Sequence, residues 1–572
     1  MAASTLRPPR PTDVPGTTPD TQVEGPQRSR WIALVAAIVV AATCALAFLF
    51  PVIAAPVNAD DRYWYLMIGP RAEGSALEVL RWSWSQIPFE VLDGRLAAFG
   101  AFQRRMVGMF VIEAAVATST PIVVYQALVK LVLFGAGMLT ALSFVRSLRW
   151  RERGGELVRV GRRTLMLVGV AGTLAVAVGA QAHSQFRNGW TSYPVFTYGA
   201  VIFILGSVAM LLWITRLVAE GSRVATIVGI GGLLLLAAAT NVSYELVYPA
   251  VPVAAVALAV IPVTDRARRS AGRRAKFLTG STYLGGFAVF FVAIRLYLAD
   301  ICASTECYEG VAMQLQPAAA RTALYNLLTA VPGSGGTELL ADLDSVGWAE
   351  LYPVPPSGWS IAIGIGAALA LLTAWWVTRV ERPATDVTDT PVHPVSRRAE
   401  ATMLGIGAGL SLLVAFGTAA VMGLSGQAQE IITEPGTAYR NTMVTWTALA
   451  LALVLVVCAA SIVLPRRGGL VAWASFAVVI GTVGALTLPG NLMATRANRV
   501  ALAVTEEINW EVALGDTASG SDARRCALYE RLEDVRMAER ARSAVYSNAN
   551  AAFDHYHGQA FCSDPDYPGG AR

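Results

Sequence analysis

The sequence predicts an all-α integral membrane protein of about eleven transmembrane helices, with an amphipathic first extracytoplasmic loop and a small extracytoplasmic C-terminal tail. Three observations predict it. The chain of 572 residues is 55% hydrophobic and only 15% charged, with a mean hydropathy of +0.50, which suits a bilayer better than water. Its apolar residues fall into runs of roughly twenty, the length that crosses the hydrocarbon core. Its arginines collect between alternate runs, the pattern that fixes orientation in a membrane.

Taken in order, the runs lie near 31–53, 122–145, 164–184, 198–216, 224–242, 248–265, 277–297, 358–378, 402–424, 443–464 and 469–488. Arginine clusters precede the first run (RSR) and follow the second (RSLRWRERGG with RVGRR) and the sixth (RARRSAGRRAK). They also occupy 379–398 (RVERP, SRR) and 465–469 (PRRGG). With eleven spans all of these share one side, which is therefore the cytoplasm. The N-terminus then lies inside and the C-terminus outside a multi-pass cell-membrane protein. The apolar stretch 107–120 is too short to span comfortably, and counting it would turn the 146–163 arginines outward, so it reads as an interfacial helix.

Residues 1–30, rich in Pro, Thr and Arg, read as a disordered cytoplasmic tail. The first run is too long for a cleaved signal peptide and reads as a signal anchor. Residues 31–488 form the polytopic domain, with outer loops at about 54–121 and 298–357, and residues 489–572 form an extracytoplasmic segment. The net charge of +5 does not point to nucleic acid, because the arginines sit in short clusters between apolar runs.

Of six cysteines, Cys44 and Cys458 fall within apolar runs. Cys302, Cys307, Cys526 and Cys562 fall in outer polar segments, where an oxidising exterior permits bonds 302 to 307 and 526 to 562. No CxxC pair, zinc spacing, phosphate-binding G-x-x-x-x-G-K-[ST], G-x-S-x-G or H-E-x-x-H occurs.

Candidate chemistry lies in the outer loops. NADDRYWYL places Asn58, Asp60, Asp61 and Arg62 just beyond the first helix, where adjacent carboxylates can act as a general base or hold a divalent cation such as Mg or Mn. The plainer reading is a solvated helix end with Tyr63, Trp64 and Tyr65 in an interfacial aromatic belt. EGSALEVLRWSWSQIPFEVLDGR follows, an amphipathic, Trp-rich segment suited to the outer leaflet, ending in Asp93, Gly94 and Arg95.

Paired acids at the first helix exit, an interfacial helix and a Gly-Arg resemble the GT-C superfamily of polytopic membrane glycosyltransferases, bacterial members related to O-antigen glucosyltransferases in particular. The resemblance covers about the first 110 residues. It implies that Asp60 or Asp61 deprotonates an acceptor hydroxyl and that the donor is a polyprenyl-phosphate sugar. The contiguous DDR departs from the separated acids of other members and leaves metal use open.

A donor phosphate beside lipid calls for a cation, best a bidentate Arg. Arg440 in AYRNT, beside Tyr439 and Asn441, resembles the Arg that such enzymes place near the lipid phosphate; Arg95 and Arg295 are further candidates. His183, Arg187, Asn188 and Trp190 in HSQFRNGWTSY, with Asn241, Tyr244 and Glu245, fall on the same side and could share a wet cavity, although solvated loops explain each alone. Lys130 lies inside the second run, where snorkelling outward ranks ahead of pairing with Glu113 or with the donor phosphate. Asp342 and Asp344 form a chance-level D-x-D, and Asp554, His555 and His557 read as a polar surface of the tail rather than a metal site.

The resulting expectation is an inverting transfer from a polyprenyl-phosphate sugar to a cell-envelope glycan or lipid on the outer membrane face. A flippase or carrier of lipid-linked saccharides, a glycan polymerase or ligase, and a non-enzymatic scaffold are the alternatives.

Overall fold

The computed structural model describes residues 25–56, 61–92, 96–152, 154–181, 194–305, 307, 313–334, 344, 350, 354–380, 397–437, 441–515, 521–535, 537, 539–564 and 567, with backbone alone at 25–30, 61–64, 72, 89–90, 92, 380 and 540. Helix α1 (Gly25–Ile53) precedes four helices of the first long loop: α2 (Asp61–Ala72), α3 (Ala76–Ser85), α4 (Ile87–Leu92) and α5 (Ala98–Ala117). Helix α6 (Ile122–Ser147) leads into a short antiparallel hairpin, β1 (Arg149–Arg151) and β2 (Leu157–Arg159), with Trp150 opposite Val158. Then come α7 (Arg162–Val178), α8 (Pro194–Ala219), α9 (Arg223–Asn241), α10 (Ala250–Val260), α11 (Arg269–Gly280), α12 (Gly286–Ser304) and α13 (Pro317–Ala330). The last part holds α14 (Gly358–Val380), α15 (Arg397–Gly423), α16 (Gly426–Ile431), α17 (Thr442–Val463), α18 (Arg466–Ala501), α19 (Ala503–Leu514), α20 (Asp522–Glu533) and α21 (Glu539–His557).

Among the described residues nine helices are long and apolar enough to cross a membrane: α1, α6, α8, α9, α11 continued through a π turn into α12, α14, α15, α17 and α18. The chain is an all-α, multi-pass membrane protein. The other two predicted runs are also helical but shorter: α7 has 17 residues, and α10 has 11 behind a 3-10 turn at Glu245–Val247. Helix α5 covers the predicted interfacial stretch, starts earlier, and is not one of the nine.

The helices of the main bundle cannot rely on the hydrophobic effect against lipid, so small residues and hydroxyls settle their packing. Gly364 on α14 and Gly481 on α18 meet so closely that a Cβ on either would collide with the carbonyl oxygen of the other. Thr418 of α15 hydrogen-bonds Thr445 of α17 at 3.0 Å, and Thr215 of α8 bonds Thr279 of α11 at 2.8 Å. Each such bond contributes on the order of 0.6 kcal/mol.

A second core lies outside the bundle. Tyr65 and Leu66 of α2 and Val111, Ile112 and Ala115 of α5 pack with Ile508, Val512, Tyr529, Tyr546, Phe553 and Phe561 from the last sixty-odd residues of the chain. Tyr529 stacks on Phe561 with centroids 5.0 Å apart and meets Tyr546 edge-on at 4.6 Å. The Tyr529 and Tyr546 hydroxyls donate to each other's carbonyls at 3.1 and 3.2 Å. Cys526 and Cys562 are bridged here, and Cys302 in the last turn of α12 is bridged to Cys307 just beyond it.

The device joining bundle to module is α18. Its 36 residues rise about 54 Å, against the ~30 Å of a hydrocarbon core. The predicted span ended at 488, where Pro489 invites a break; the helix instead runs through Pro489 and carries Thr495 and Arg499 to the end of α1. The first loop and the C-terminal segment, expected as separate pieces, thus share one core.

Candidate functional site at the end of the first helix

A helix ends with carbonyls that lack intrahelical donors, and its macrodipole makes that end partly negative. At the exit of α1 three such carbonyls are satisfied from distant elements. Pro51 O accepts from Thr495 Oγ1 at 2.8 Å, Val52 O from Lys130 Nζ at 3.1 Å, and Ala54 O from Arg499 Nη2 at 2.9 Å. Two cations, one from α6 and one from the far end of α18, therefore meet within three residues of α1, six positions before Asp60.

Lys130 is fully buried, which corrects the expectation that it snorkels outward. Its ammonium turns inward because the α1 end offers an unpaired carbonyl at the right depth. The expected partner Glu113 accepts instead from the Tyr556 hydroxyl at 2.8 Å. One turn before Lys130 on α6, Gln126 is also fully buried, and neither of its amide atoms has a hydrogen-bond partner among the described residues. Such a group normally faces a polar companion.

Glu506, in the first turn of α19, completes the cluster. Burial pushes its carboxyl above the ordinary range, while Arg499 and Lys130 pull the other way. A proton on Glu506 leaves the positive charge of the two cations uncompensated by it.

Asp61 opens α2, so the acid-bearing segment connects directly from this cation-rich exit into the module. Helix α2 is seated by a close approach: a Cβ at Gly69 would strike the Tyr556 ring of α21. Burial and the bond to Glu113 hold the Tyr556 hydroxyl protonated well above the usual phenol range. Beside it, α3 buries Val79 and Trp82 against α5, with the Arg71 and Arg105 guanidinium carbons 5.4 and 4.6 Å from the indole centroid. Its opposite stripe leaves Leu77, Leu80 and Trp84 exposed at 54%, 49% and 75%, the face an interfacial helix turns to lipid.

The other predicted residues divide as follows. Asp60, Arg95, His183, Arg187, Tyr439 and Arg440 lie outside the described residues, as do Asn58, Asn188, Trp190 and Asp342; Asp61, Tyr63 and Trp64 are placed by backbone only, in the first turn of α2. Arg295 sits on α12 over the Phe291 ring at 5.3 Å, on a helix that packs chiefly against α9. Glu245 starts the 3-10 turn before α10, where Tyr244 stacks on Phe196 and Val242 O receives the Phe99 N–H of α5. Asn441 is buried and donates to Thr445 Oγ1 at 3.2 Å. His557 Nε2 lies 2.9 Å from Val512 O, and no group of three His, Cys, Asp or Glu able to hold a metal occurs among the described residues.

Thr495, Arg499, Gln126 and Glu506 were not singled out from sequence. For Thr495, Arg499 and Glu506 the signal is the continuation NLMATRANRVALAVTEEINW, whose polar residues follow the run ending at 488; nothing in the sequence around Gln126 marks it.

The chain matches no known protein family, no curated protein and no solved structure.

Proposed function

We propose that the protein transfers a sugar from a polyprenyl phosphate to a cell-envelope glycan or lipid at the outer face of the cytoplasmic membrane, with inversion at the anomeric carbon. The observation that carries this reading is the convergence of Lys130 and Arg499 on the α1 carbonyls just ahead of Asp60 and Asp61. The exposed stripe of α3 supports access from the lipid side.

In this reading Asp60 or Asp61 takes the proton from the acceptor hydroxyl as its oxygen bonds to the anomeric carbon. The bond from that carbon to the phosphate oxygen breaks, and polyprenyl phosphate leaves carrying the electron pair. Positive charge at the helix exit stabilises that leaving group most as it develops, which is electrostatic catalysis; Arg440 and Arg95 are further cations for the phosphate. The Cys526–Cys562 disulfide supports an outer placement of the module, since such bonds persist in oxidising compartments.

The test is incubation of the purified full chain with radiolabelled polyprenyl-phosphate sugars. Wild type is expected to release polyprenyl phosphate, and the double variant Asp60→Asn/Asp61→Asn to release none while still inserted and folded. Full activity in that variant rejects the assignment, and movement of the intact donor across vesicles without release identifies a carrier.

A further inference from the structure

At the opposite end of α18 lies a cavity of about 950 Å³ that the outer reaction does not use. Three arginine clusters far apart in sequence meet around it. Arg162 and Arg163 come from the start of α7, Arg379 from the end of α14, Arg397 from the start of α15, and Arg466 and Arg467 from the start of α18. Glu400 is the one acid among the described lining residues, and it accepts the Gly161 N–H at 3.0 Å, capping α7.

Orientation alone requires arginines in loops; it does not require them to ring a cavity. Here α7, α15 and α18 all begin at the rim, so three positive helix ends add to six guanidiniums. One wall is apolar: Trp375, Trp376, Ile462, Leu464 and Leu470. Trp375 is 94% buried (6% exposed), and its indole Nε1 has no hydrogen-bond partner among the described residues. Trp376, Leu464 and Leu470 are exposed, a surface fit for acyl chains next to one fit for phosphate.

We propose that this cavity binds the phosphate headgroup of an anionic lipid, guanidiniums forking onto phosphate oxygens and the Trp–Leu wall receiving the chains. Basic pockets between spans at the cytoplasmic surface serve this chemistry. A doubly charged headgroup suits the count of arginines better than a single phosphodiester. The proposal is independent of the outer site.

The test titrates the delipidated full chain, in neutral detergent, with cardiolipin, with phosphatidylcholine and with inorganic pyrophosphate, read by native mass spectrometry. Each arginine near a phosphate is worth roughly a fivefold change in affinity, so cardiolipin should bind at least about tenfold tighter than phosphatidylcholine. Arg466→Gln/Arg467→Gln should erase most of that preference, and Arg466→Lys/Arg467→Lys, which keeps the charge that orients the chain, should restore much of it. Equal binding of the two lipids, or wild-type cardiolipin binding by the inserted Gln variant, overturns the proposal. Complete displacement of cardiolipin by equimolar pyrophosphate overturns the lipid assignment and assigns the cavity to a soluble phosphate compound.

Discussion

The two ends of α18 handle positive charge in opposite ways. At its start, six arginines ring an open cavity with one carboxylate among the described lining residues. At its far end four described cations are committed within the protein. Lys130 and Arg499 hold α1 carbonyls, Arg525 Nε donates to Phe561 O at 2.6 Å, and Arg531 grips Glu507 with two bonds of 2.7 and 3.0 Å. Charge that closes the end of a helix is committed to backbone acceptors, whereas a cavity with six arginines and a single described carboxylate keeps a net positive lining that suits an anionic ligand. Damage to the module end should therefore leave the arginine end intact.

The largest expected effect comes from Cys526→Ser/Cys562→Ser. The bridge spans 36 residues, and its loss should cost about 4 kcal/mol of module stability on the chain-entropy account. Hydrogen exchange should accelerate in α20 and α21 and stay unchanged in α14 and α15; equal acceleration at both ends would show that they form one cooperative unit.

Lys130→Met probes the buried pairing itself. It orphans Val52 O, a loss of about 1–3 kcal/mol, and removes a cation from the exit of α1, so the thermal midpoint and sugar transfer should both fall. Retained transfer in a destabilised variant would assign Lys130 to the fold alone. Gly69→Leu comes next: the new side chain must displace Tyr556, and overpacking of this kind costs about 1–3 kcal/mol. Tyr556→Ala should recover part of that loss in the double variant, and a purely additive result would break the proposed seating of α2 on α21.

How much of this was legible in the sequence depends on range. All eleven apolar runs are helical, because hydropathy and length are local properties; nine reach spanning length, and α7 and α10 stop short. Lys130 was placed wrongly because its partner, the Val52 carbonyl, lies 78 residues away and carries no sequence signature. Arg499 was missed for the same reason, its acceptor being 445 residues distant. Polarity suggests a solvated tail, yet Tyr529, Phe553 and Phe561 are fully buried there, because the tail's rings pack on one another and the cluster is completed by residues of α2 and α5. The arginine clusters were read one loop at a time, and their common cavity exists only once α7, α14, α15 and α18 are packed together.

The smallest effect is the most informative about the outer site. Burial raises the Glu506 carboxyl above its unfolded value, with Arg499 and Lys130 opposing. The folded state then holds more protons than the unfolded one between those two values, so stability falls as pH climbs through that window and the penalty is constant above it. Glu506→Gln removes the titration. The variant should match wild type at acid pH and be the more stable of the two above the window, as followed by thermal unfolding across pH 4 to 9 at fixed salt, a range chosen to bracket carboxylate titration. The reverse order, wild type gaining on the variant as pH rises, would mean that Arg499 and Lys130 hold Glu506 ionised. Their charge would then be spent on it, and the exit of α1 would have little left for a departing phosphate.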